Sequence, residues 1–367
     1  MRSRTAVVLT ALLLVSQAAC SQERPVRQSP ASQQSPASQQ SPASQQSPAS
    51  QQSPASQQSP ASQQSPVLRQ SQEQIERTAG SLRRLDDLPM YVMTYHGGYD
   101  AEAPLTDEEL ARPDSAWACS LFARGPGSAG GPEFGRNFDW DPHAAMVVHA
   151  DPPGGYASIS VSDVSYVLGG ESTGGPDLTD PRHRRRLGHA VLLPFDGMNE
   201  KGLAVGLAQT PDAELPARTP GRVLVGTTRV IRLMLDHAAT VDEAIALMGR
   251  YDVEFTGGPQ VHYLIADRTG RAVVAEYGGG RLHVVDDRIL TNITMAGTRP
   301  DDRLSDARYA ALAEGAGTRA DALDLLREVA QPHTRWSIVY DLDDLTARLV
   351  TGRRWARVHE LAISSPG

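Results

Sequence analysis

Alternating apolar and polar positions recur along most of the chain beyond residue 87 and predict a fold dominated by β-strands. In residues 156–167, for example, Ile159 and Val161 stand between polar neighbours. A period near two is typical of a strand with one buried face. The sequence predicts strands at residues 87–95, 116–122, 135–141, 156–167, 189–194, 202–209, 261–267, 272–277, 282–286, 288–292, 337–341, 347–351 and 356–361.

Helical spacing of apolar residues appears between the groups of strands. Residues 223–239 carry apolar positions three and four apart, and residues 240–243 form a capping box that opens a helix to residue 248. Two further helices are predicted at residues 302–313 and 319–329. Few connections follow a strand–helix–strand rhythm, so the pattern favours an α+β fold with antiparallel sheets and helices on their outer faces.

The N-terminus has the composition of a bacterial export signal. Residues 1–20 contain two arginines followed by an apolar core that is too short to span a bilayer. A cut before Cys20 would lipidate that cysteine and leave the protein on the outer face of the cell membrane as a lipoprotein. A cut within residues 16–19 would secrete it instead. The lipoprotein is the preferred interpretation because a long polar tract follows.

That tract, residues 21–81, is predicted to be a disordered tether. Its repeated unit Ser-Pro-Ala-Ser-Gln-Gln runs through residues 29–64 and offers no apolar face for a core. Two interpretations stay open: a spacer that holds a catalytic domain away from a membrane, or an expanded tract without a role. Residues 82–363 are long enough for one domain with a substantial core.

Composition excludes several classes of partner. The chain has 367 residues and a net charge of −8, which argues against nucleic-acid binding, and the basic run at residues 184–186 is interpreted as a solvated loop. Beyond the signal no segment is apolar enough to cross a membrane, so membrane contact is expected only through the lipid anchor. No metal cluster or phosphate loop is visible, and we predict no metal and no cofactor.

Cys119 is the candidate nucleophile. The chain has two cysteines, and removal or lipidation of Cys20 leaves Cys119 without an internal disulfide partner. A glycine-rich turn then leads to a second strand that carries Arg136 and Asp139. A guanidinium near a thiol lowers the thiol pKa, and a carboxylate can orient a nearby amine. The alternatives for Cys119 are a buried filler and an intermolecular link.

A thiol nucleophile needs a base, and no histidine has the context of a cysteine protease. His262, His283 and His333 lie in or beside predicted strands and are interpreted as core or edge residues. If the peptide bond before Cys119 were cut, the freed α-amino group, with a reference pKa of about 8, would supply the base.

Several motifs follow one another in an order that resembles a known family. They are Cys119 and residues 135–140, 196–203, 261–277, 291–292 and 305–309. This set is similar to the linear amide C–N hydrolases of the N-terminal-nucleophile superfamily, which include choloylglycine hydrolases, penicillin V acylases, acid-ceramidase-like amidases and isopenicillin-N acyltransferases. The resemblance implies a four-layer αββα sandwich with two stacked antiparallel sheets.

The resemblance also implies roles for individual residues. Cys119 would be the nucleophile, its own α-amine the base, and Asp139 the group that orients the amine. Arg136 would tune the thiol and contact the substrate.

Further site residues follow from the same resemblance. Asn292 and a backbone N–H near Gln209 would bind the oxyanion, and Arg308 would brace the site. Asn199 and Glu200 are secondary candidates, and a hairpin turn is the preferred interpretation of both.

The predicted function is that of an exported, self-processing amidase. Residues 82–118 would be a pro-region retained as a small subunit after cleavage between Ala118 and Cys119, and residues 119–363 the catalytic domain. The substrate would be a small-molecule N-acyl amide, hydrolysed through a thioester on Cys119. The alternatives are acyl transfer to an amine and a catalytically silent surface-binding lipoprotein. The sequence leaves oligomeric state open, a homo-oligomer included.

Overall fold

The computed structural model describes residues 67–105, 117–128, 130–169, 175–256, 258–318 and 320–363. The predicted export signal, Cys20 and the repeat tract lie outside these residues, as do residues 106–116 of the predicted pro-region. The chain divides into two units, residues 1–59 and 60–367, and every described element belongs to the second.

Strands form most of the described chain. They are β1 Leu68–Arg69, β2 Arg83–Asp86, β3 Met90–Tyr95, β4 Gly98–Tyr99, β5 Ala118–Ala123, β6 Glu133–Asp139, β7 Ala145–Ala150, β8 Ser158–Asp163, β9 Asp196–Asn199, β10 Leu203–Gln209, β11 Leu224–Gly226, β12 Asp252–Glu254, β13 Val261–Asp267, β14 Ala272–Gly278, β15 Arg281–Val285, β16 Ile289–Leu290, β17 Thr334–Asp341, β18 Thr346–Thr351 and β19 His359–Ala362.

The helices lie between groups of strands, as the sequence predicts. They are α1 Gln72–Ser81, α2 Ser165–Leu168, α3 Pro181–Leu187, a 3-10 helix Gly188–Leu192, α4 Thr227–His237, α5 Val241–Met248, α6 Pro300–Arg303, α7 Ala307–Ala316 and α8 Ala322–Glu328.

Two large sheets organise the domain. The first has nine strands in the order β15-β14-β13-β10-β9-β8-β7-β3-β2, and the second has six in the order β16-β5-β6-β17-β18-β19. All neighbours in the second sheet are antiparallel. The first sheet departs from the predicted antiparallel arrangement at one place, because β3 and β7 run parallel. This pairing joins the predicted pro-region to the catalytic domain.

The predicted four-layer αββα architecture is confirmed. Strand β5 of the second sheet packs on β10 of the first, while α4 and α5 cover the outer face of the first sheet and α7 and α8 that of the second. Gly206 on β10 permits the close approach of the sheets, since a Cβ there would lie 2.7 Å from Leu121 Cδ2. The layer contact therefore centres on the strand that carries Cys119.

Several predicted elements differ in the structure. The basic run at residues 184–186 lies in helix α3 and not in a loop. Residues 189–194 were predicted as a strand, but the chain forms the 3-10 helix Gly188–Leu192 there. Its core is a continuous apolar run, and periodicity alone does not separate such a run from a buried strand. The predicted helix at residues 302–313 is two helices, because Asp306 caps α7 by accepting a hydrogen bond from the Tyr309 N–H at 2.8 Å.

The predicted tether was too long at its C-terminal end. Helix α1 lies inside residues 21–81, and it begins at a capping box in which Ser71 Oγ accepts from the Gln74 N–H and Gln74 Oε1 accepts from the Ser71 N–H. The helix packs on β3. Its polar composition hid this packing from sequence reasoning. The sequence analysis also missed strands β1, β2, β4, β7, β9, β11 and β12.

Candidate active site

The neighbours of β5 determine what surrounds Cys119. Antiparallel pairing places Cys119 opposite Phe138 of β6 and Leu121 opposite Leu290 of β16. Asp139 therefore ends one neighbouring strand, and Asn292 follows the other. The Cys119 side chain is fully buried, and the structure holds it as a free thiol.

Arg136 contacts the thiol from within the core. Its Nη2 lies 3.4 Å from Cys119 Sγ, while Nη1 donates to Phe195 O at 2.7 Å and to Asp196 Oδ2 at 2.9 Å. Both charged side chains are fully buried. A guanidinium fixed by a carboxylate and a carbonyl has little freedom to turn away from the sulfur.

Asp196 holds Arg136 in place, a contact that the sequence analysis missed. Two side chains of β17 donate to the Asp196 carboxylate: Trp336 Nε1 at 3.1 Å and Tyr340 OH at 2.5 Å. Strand β17 therefore fixes the carboxylate that binds Arg136. The presence of Asp196 in the motif at residues 196–203 was the only signal. No spacing rule links it to Arg136, which lies 60 positions away.

Arg136 lowers the pKa of the Cys119 thiol, as the sequence analysis expects, but the net change is in the opposite direction. Burial is the largest influence and raises the pKa of Cys119 above its usual value, while Arg136 lowers it by less and the Asp139 carboxylate raises it further. The resting group is therefore a protonated thiol, which needs a base before it can attack.

Asp139 is a buried carboxyl group with one oxygen engaged and one without a hydrogen bond. Thr334 Oγ1 donates to Oδ1 at 2.5 Å, whereas Oδ2 has no hydrogen-bond partner among the described residues and lies 4.0 Å from Arg308 Nη1. Burial raises the pKa of Asp139 to about 6. The residue stands opposite Ala118, one position before Cys119.

Asn292 holds the main chain on both sides of the predicted cleavage point. Its Oδ1 accepts the Cys119 N–H at 2.7 Å, and its Nδ2 donates to Trp117 O at 3.2 Å and to Gln209 O at 2.8 Å. Gln209 contributes its side chain as well, because Oε1 accepts the Trp117 N–H at 2.5 Å. The structure thus brings both predicted oxyanion residues to this segment.

Arg308 closes the site from the first turn of α7. Its Nη1 donates to Cys119 O at 2.8 Å, and its Nη2 donates to Asn292 Oδ1 at 3.1 Å. The side chain therefore links the nucleophile's backbone to the amide of Asn292.

Asn199 and Glu200 lie at the β9–β10 hairpin and contact neither Cys119 nor Asn292 in the described structure. Asn199 is fully buried and donates to Leu235 O at 2.9 Å and Ala238 O at 2.8 Å. Glu200 pairs with Lys201 at 3.0 Å on the surface. These contacts match the hairpin interpretation of both residues.

The described residues also show which other groups lie near the site and which kinds of element the chain contains. None of their histidine side chains hydrogen-bonds to Cys119 or Asp139. Nor do they contain a group of three or more His, Cys, Asp or Glu side chains arranged to hold a metal ion. Across the same ranges, no helix has the length and apolarity needed to cross a bilayer.

Comparison with known proteins gives a match to one family. Residues 188–295 match the model of the linear amide C–N hydrolases, choloylglycine hydrolase family. The match contains Asn199, Glu200, Gln209 and Asn292, whereas Cys119 precedes it. It confirms the family resemblance and the enzyme class that the motifs indicate, a linear amide C–N hydrolase.

The solved structures that match the chain include those of three enzymes. A penicillin V acylase from Agrobacterium tumefaciens has 16% identity, covers 64% of this chain and 83% of its own, and gives a TM-score of 0.45. A mutant conjugated bile acid hydrolase from Clostridium perfringens has 15% sequence identity and a TM-score of 0.47, and the match covers 67% of this chain and 92% of the hydrolase. A Caenorhabditis elegans N-acylethanolamine-hydrolyzing acid amidase ortholog has 17% sequence identity and a TM-score of 0.40, and the match covers 61% of this chain and 92% of the amidase. No curated protein matches the chain.

Proposed function

We propose that the protein is an exported, self-processing amidase that hydrolyses a small-molecule N-acyl amide through a thioester on Cys119. One observation carries the proposal. The carboxylate oxygen Asp139 Oδ2 is buried without a hydrogen bond, beside a nucleophile that no described histidine side chain contacts. An α-ammonium group on Cys119 would satisfy that oxygen, and in its neutral form would serve as the base.

Self-cleavage comes first in this proposal. Cys119 Sγ attacks the Ala118 carbonyl carbon, the Ala118–Cys119 C–N bond breaks, and the thiol proton passes to the departing nitrogen. Water then cleaves the thioester, leaving a carboxylate on Ala118 and restoring the thiol. The products are two chains, the second of which begins at Cys119 with a free amine.

The contacts of Trp117 support an uncut chain that cannot turn over substrate. The Trp117 carbonyl accepts from Asn292 Nδ2, so the chain's own residue occupies this proposed oxyanion donor, and the Trp117 N–H is held by Gln209 Oε1. Its ring packs among Phe138, Trp140 and Phe195. Cleavage would allow this residue to leave and the Asn292 amide to face a substrate.

The mature enzyme would use the same groups for substrate. The α-amine, oriented by Asp139, takes the thiol proton as Sγ attacks the amide carbonyl, and Asn292 Nδ2 donates to the oxyanion. The ammonium protonates the leaving amine. Water, deprotonated by the amine, then attacks the thioester and releases the carboxylate.

Export and anchoring complete the proposal. The residues that would direct them are the signal at residues 1–20 and Cys20, followed by the repeat tract. We expect the protein in the membrane fraction of its natural host, with Cys20→Ala moving it to the soluble extracellular fraction. Wild-type protein recovered only inside the cell would contradict export.

A panel of N-acyl amides with aliphatic, aryl-acetyl, bile-acid and homoserine-lactone groups tests the activity. We expect the wild-type protein to release carboxylate and amine from at least one class, and mass spectrometry to find the acyl group on Cys119. Cys119→Ala should release none, since it has no nucleophile. Turnover by Cys119→Ala equal to that of the wild type would refute the proposed mechanism.

A further inference from the structure

His262 and Glu276 form a buried pair on neighbouring strands of the first sheet. Nδ1 of His262 lies 2.7 Å from Glu276 Oε2, and both side chains are almost completely buried. The register of β10 and β13 places His262 beside Ala208, the residue before Gln209. The pair therefore lies next to one of the proposed oxyanion residues.

Each ring nitrogen of His262 faces an oxygen acceptor. Nε2 lies 2.9 Å from Thr291 O, and a carbonyl oxygen accepts only, so Nε2 carries a proton. Glu276 accepts the N–H groups of Met295 at 3.0 Å and Ala296 at 2.8 Å, as a carboxylate does. A contact of 2.7 Å between Nδ1 and Oε2 requires one proton between them, so a hydrogen bond joins the two side chains.

The hydrogen bonds to Glu276 favour its charged form. Burial alone would raise its pKa, but the bonds from His262, Met295 and Ala296 outweigh burial, and the pKa of Glu276 is lowered.

The pair holds the segment that carries Asn292 at both ends. His262 binds the carbonyl of Thr291, which directly precedes Asn292, and Glu276 binds the N–H groups of Met295 and Ala296 a few residues later. This segment follows β16 of the second sheet, whereas the pair belongs to the first. The contacts therefore fix residues 291–296 relative to β10 and Gln209.

We propose that His262 and Glu276 are positioning residues of the active site, which aim the Asn292 amide at the oxyanion of the reacting carbonyl. This inference rests on the role proposed for Asn292. Neither residue touches substrate or the nucleophile. Their effect is on the placement of Asn292 Nδ2, where a displacement near one ångström can cost about a hundredfold in rate.

The test uses the full-length protein carrying His262→Gln or Glu276→Gln. We expect kcat, counted per cleaved Cys119 chain, to fall about tenfold to a hundredfold with KM little changed. The rate at which iodoacetamide alkylates Cys119 should stay at the wild-type value, because the pair does not contact the thiol. His359→Gln is the matched control: His359 also pairs with a buried carboxyl group, Asp86 at 2.8 Å, but on β19 at the far edge of the second sheet. It should keep the wild-type kcat.

A double-mutant cycle separates positioning from general support of the fold. In an Asn292→Ala background, His262→Gln should lower kcat little further, because the group it positions is gone. Equal losses of kcat in the presence and absence of Asn292 would overturn the inference. So would a wild-type kcat in either single variant. An inactive wild-type protein would instead refute the proposed function.

Neutron diffraction from the wild-type protein tests the pair without any substitution. We expect one deuterium between His262 Nδ1 and Glu276 Oε2 and a second between His262 Nε2 and the Thr291 carbonyl oxygen. Absence of either would overturn the contacts that hold residues 291–296, even if neither variant folded.

Discussion

At the residue scale, burial decides the chemistry of Cys119 more than its neighbouring charge does. The thiol is fully enclosed, and the pKa of Cys119 is raised although Arg136 lies 3.4 Å from the sulfur. A sequence can indicate that an arginine comes near, but it does not give the burial that opposes it. The thiol therefore needs a base, and in the proposed cleaved chain the α-amine of Cys119 itself would provide it.

Arg136 should be critical for stability as well as for the site. Replacing it by methionine leaves the Asp196 carboxylate buried without its cation, and we expect the free energy of unfolding to fall by about 3–5 kcal/mol. Urea denaturation measures the change. Arg136→Met/Asp196→Asn should recover most of the loss, because no charge is left alone; a double variant as unstable as the single one would contradict this explanation.

Asp139 should make the uncut protein less stable as pH rises. Its pKa is raised from 3.8 to about 6 in the folded chain, so the folded state binds more protons than the unfolded state between these values. The stability contribution is complete below pH 3.8 and is lost as pH rises through about 6.

The comparison uses Cys119→Ala, which keeps the chain uncut. Adding Asp139→Asn should leave stability nearly unchanged at pH 3.5 and raise it by up to about 3 kcal/mol at pH 8, because the amide carries no charge to bury. Thermal unfolding across this pH range measures both. A pH dependence identical in the two proteins would contradict the raised pKa of Asp139.

At the element scale, the β9–β10 hairpin depends on Asn199. Its side chain makes two hydrogen bonds to carbonyls near the end of α4 and accepts from the N–H groups of Lys201 and Leu203 at 3.1 Å. Asn199→Ala leaves these buried groups without partners, and we expect a loss on the order of 2–4 kcal/mol of stability.

Glu200→Gln, on the surface of the same turn, is the control and should change stability little. Iodoacetamide should alkylate Cys119 at the same rate per folded molecule in both variants. A slower rate in Asn199→Ala would instead assign Asn199 to the active site.

The elements that sequence patterns predicted best are those with one buried face or a local signal. Strand β13 was predicted with its observed bounds, Val261–Asp267, and Thr240 caps α5 as expected. The 3-10 helix Gly188–Leu192 was missed because a continuous apolar run lacks the alternation that distinguishes a strand from a helix. Asp196 and Thr334 could not be assigned in advance, since their contacts with Arg136 and Asp139 depend on strand order.

At the scale of the whole molecule, the proposed cleavage divides a continuous sheet. Strand β3, N-terminal to Cys119, lies between β2 and β7 of the first sheet and pairs with β7 over six residues. Met90, Val92, Met93 and Tyr95 of this strand are buried. The N-terminal fragment should therefore remain bound after cleavage.

Size-exclusion chromatography of the cleaved protein checks this retention. Both fragments should elute together in native buffer and separate only in denaturant. Their separation in native buffer, with amidase activity kept by the C-terminal fragment alone, would show that β3 is dispensable.

The most direct test of Cys119 as an N-terminal nucleophile is the intact mass of the purified protein under denaturing conditions. For the wild type we expect two chains, the heavier of which begins at Cys119, and for Cys119→Ala a single uncut chain without amidase activity. A single uncut wild-type chain that hydrolyses an N-acyl amide would contradict the mechanism.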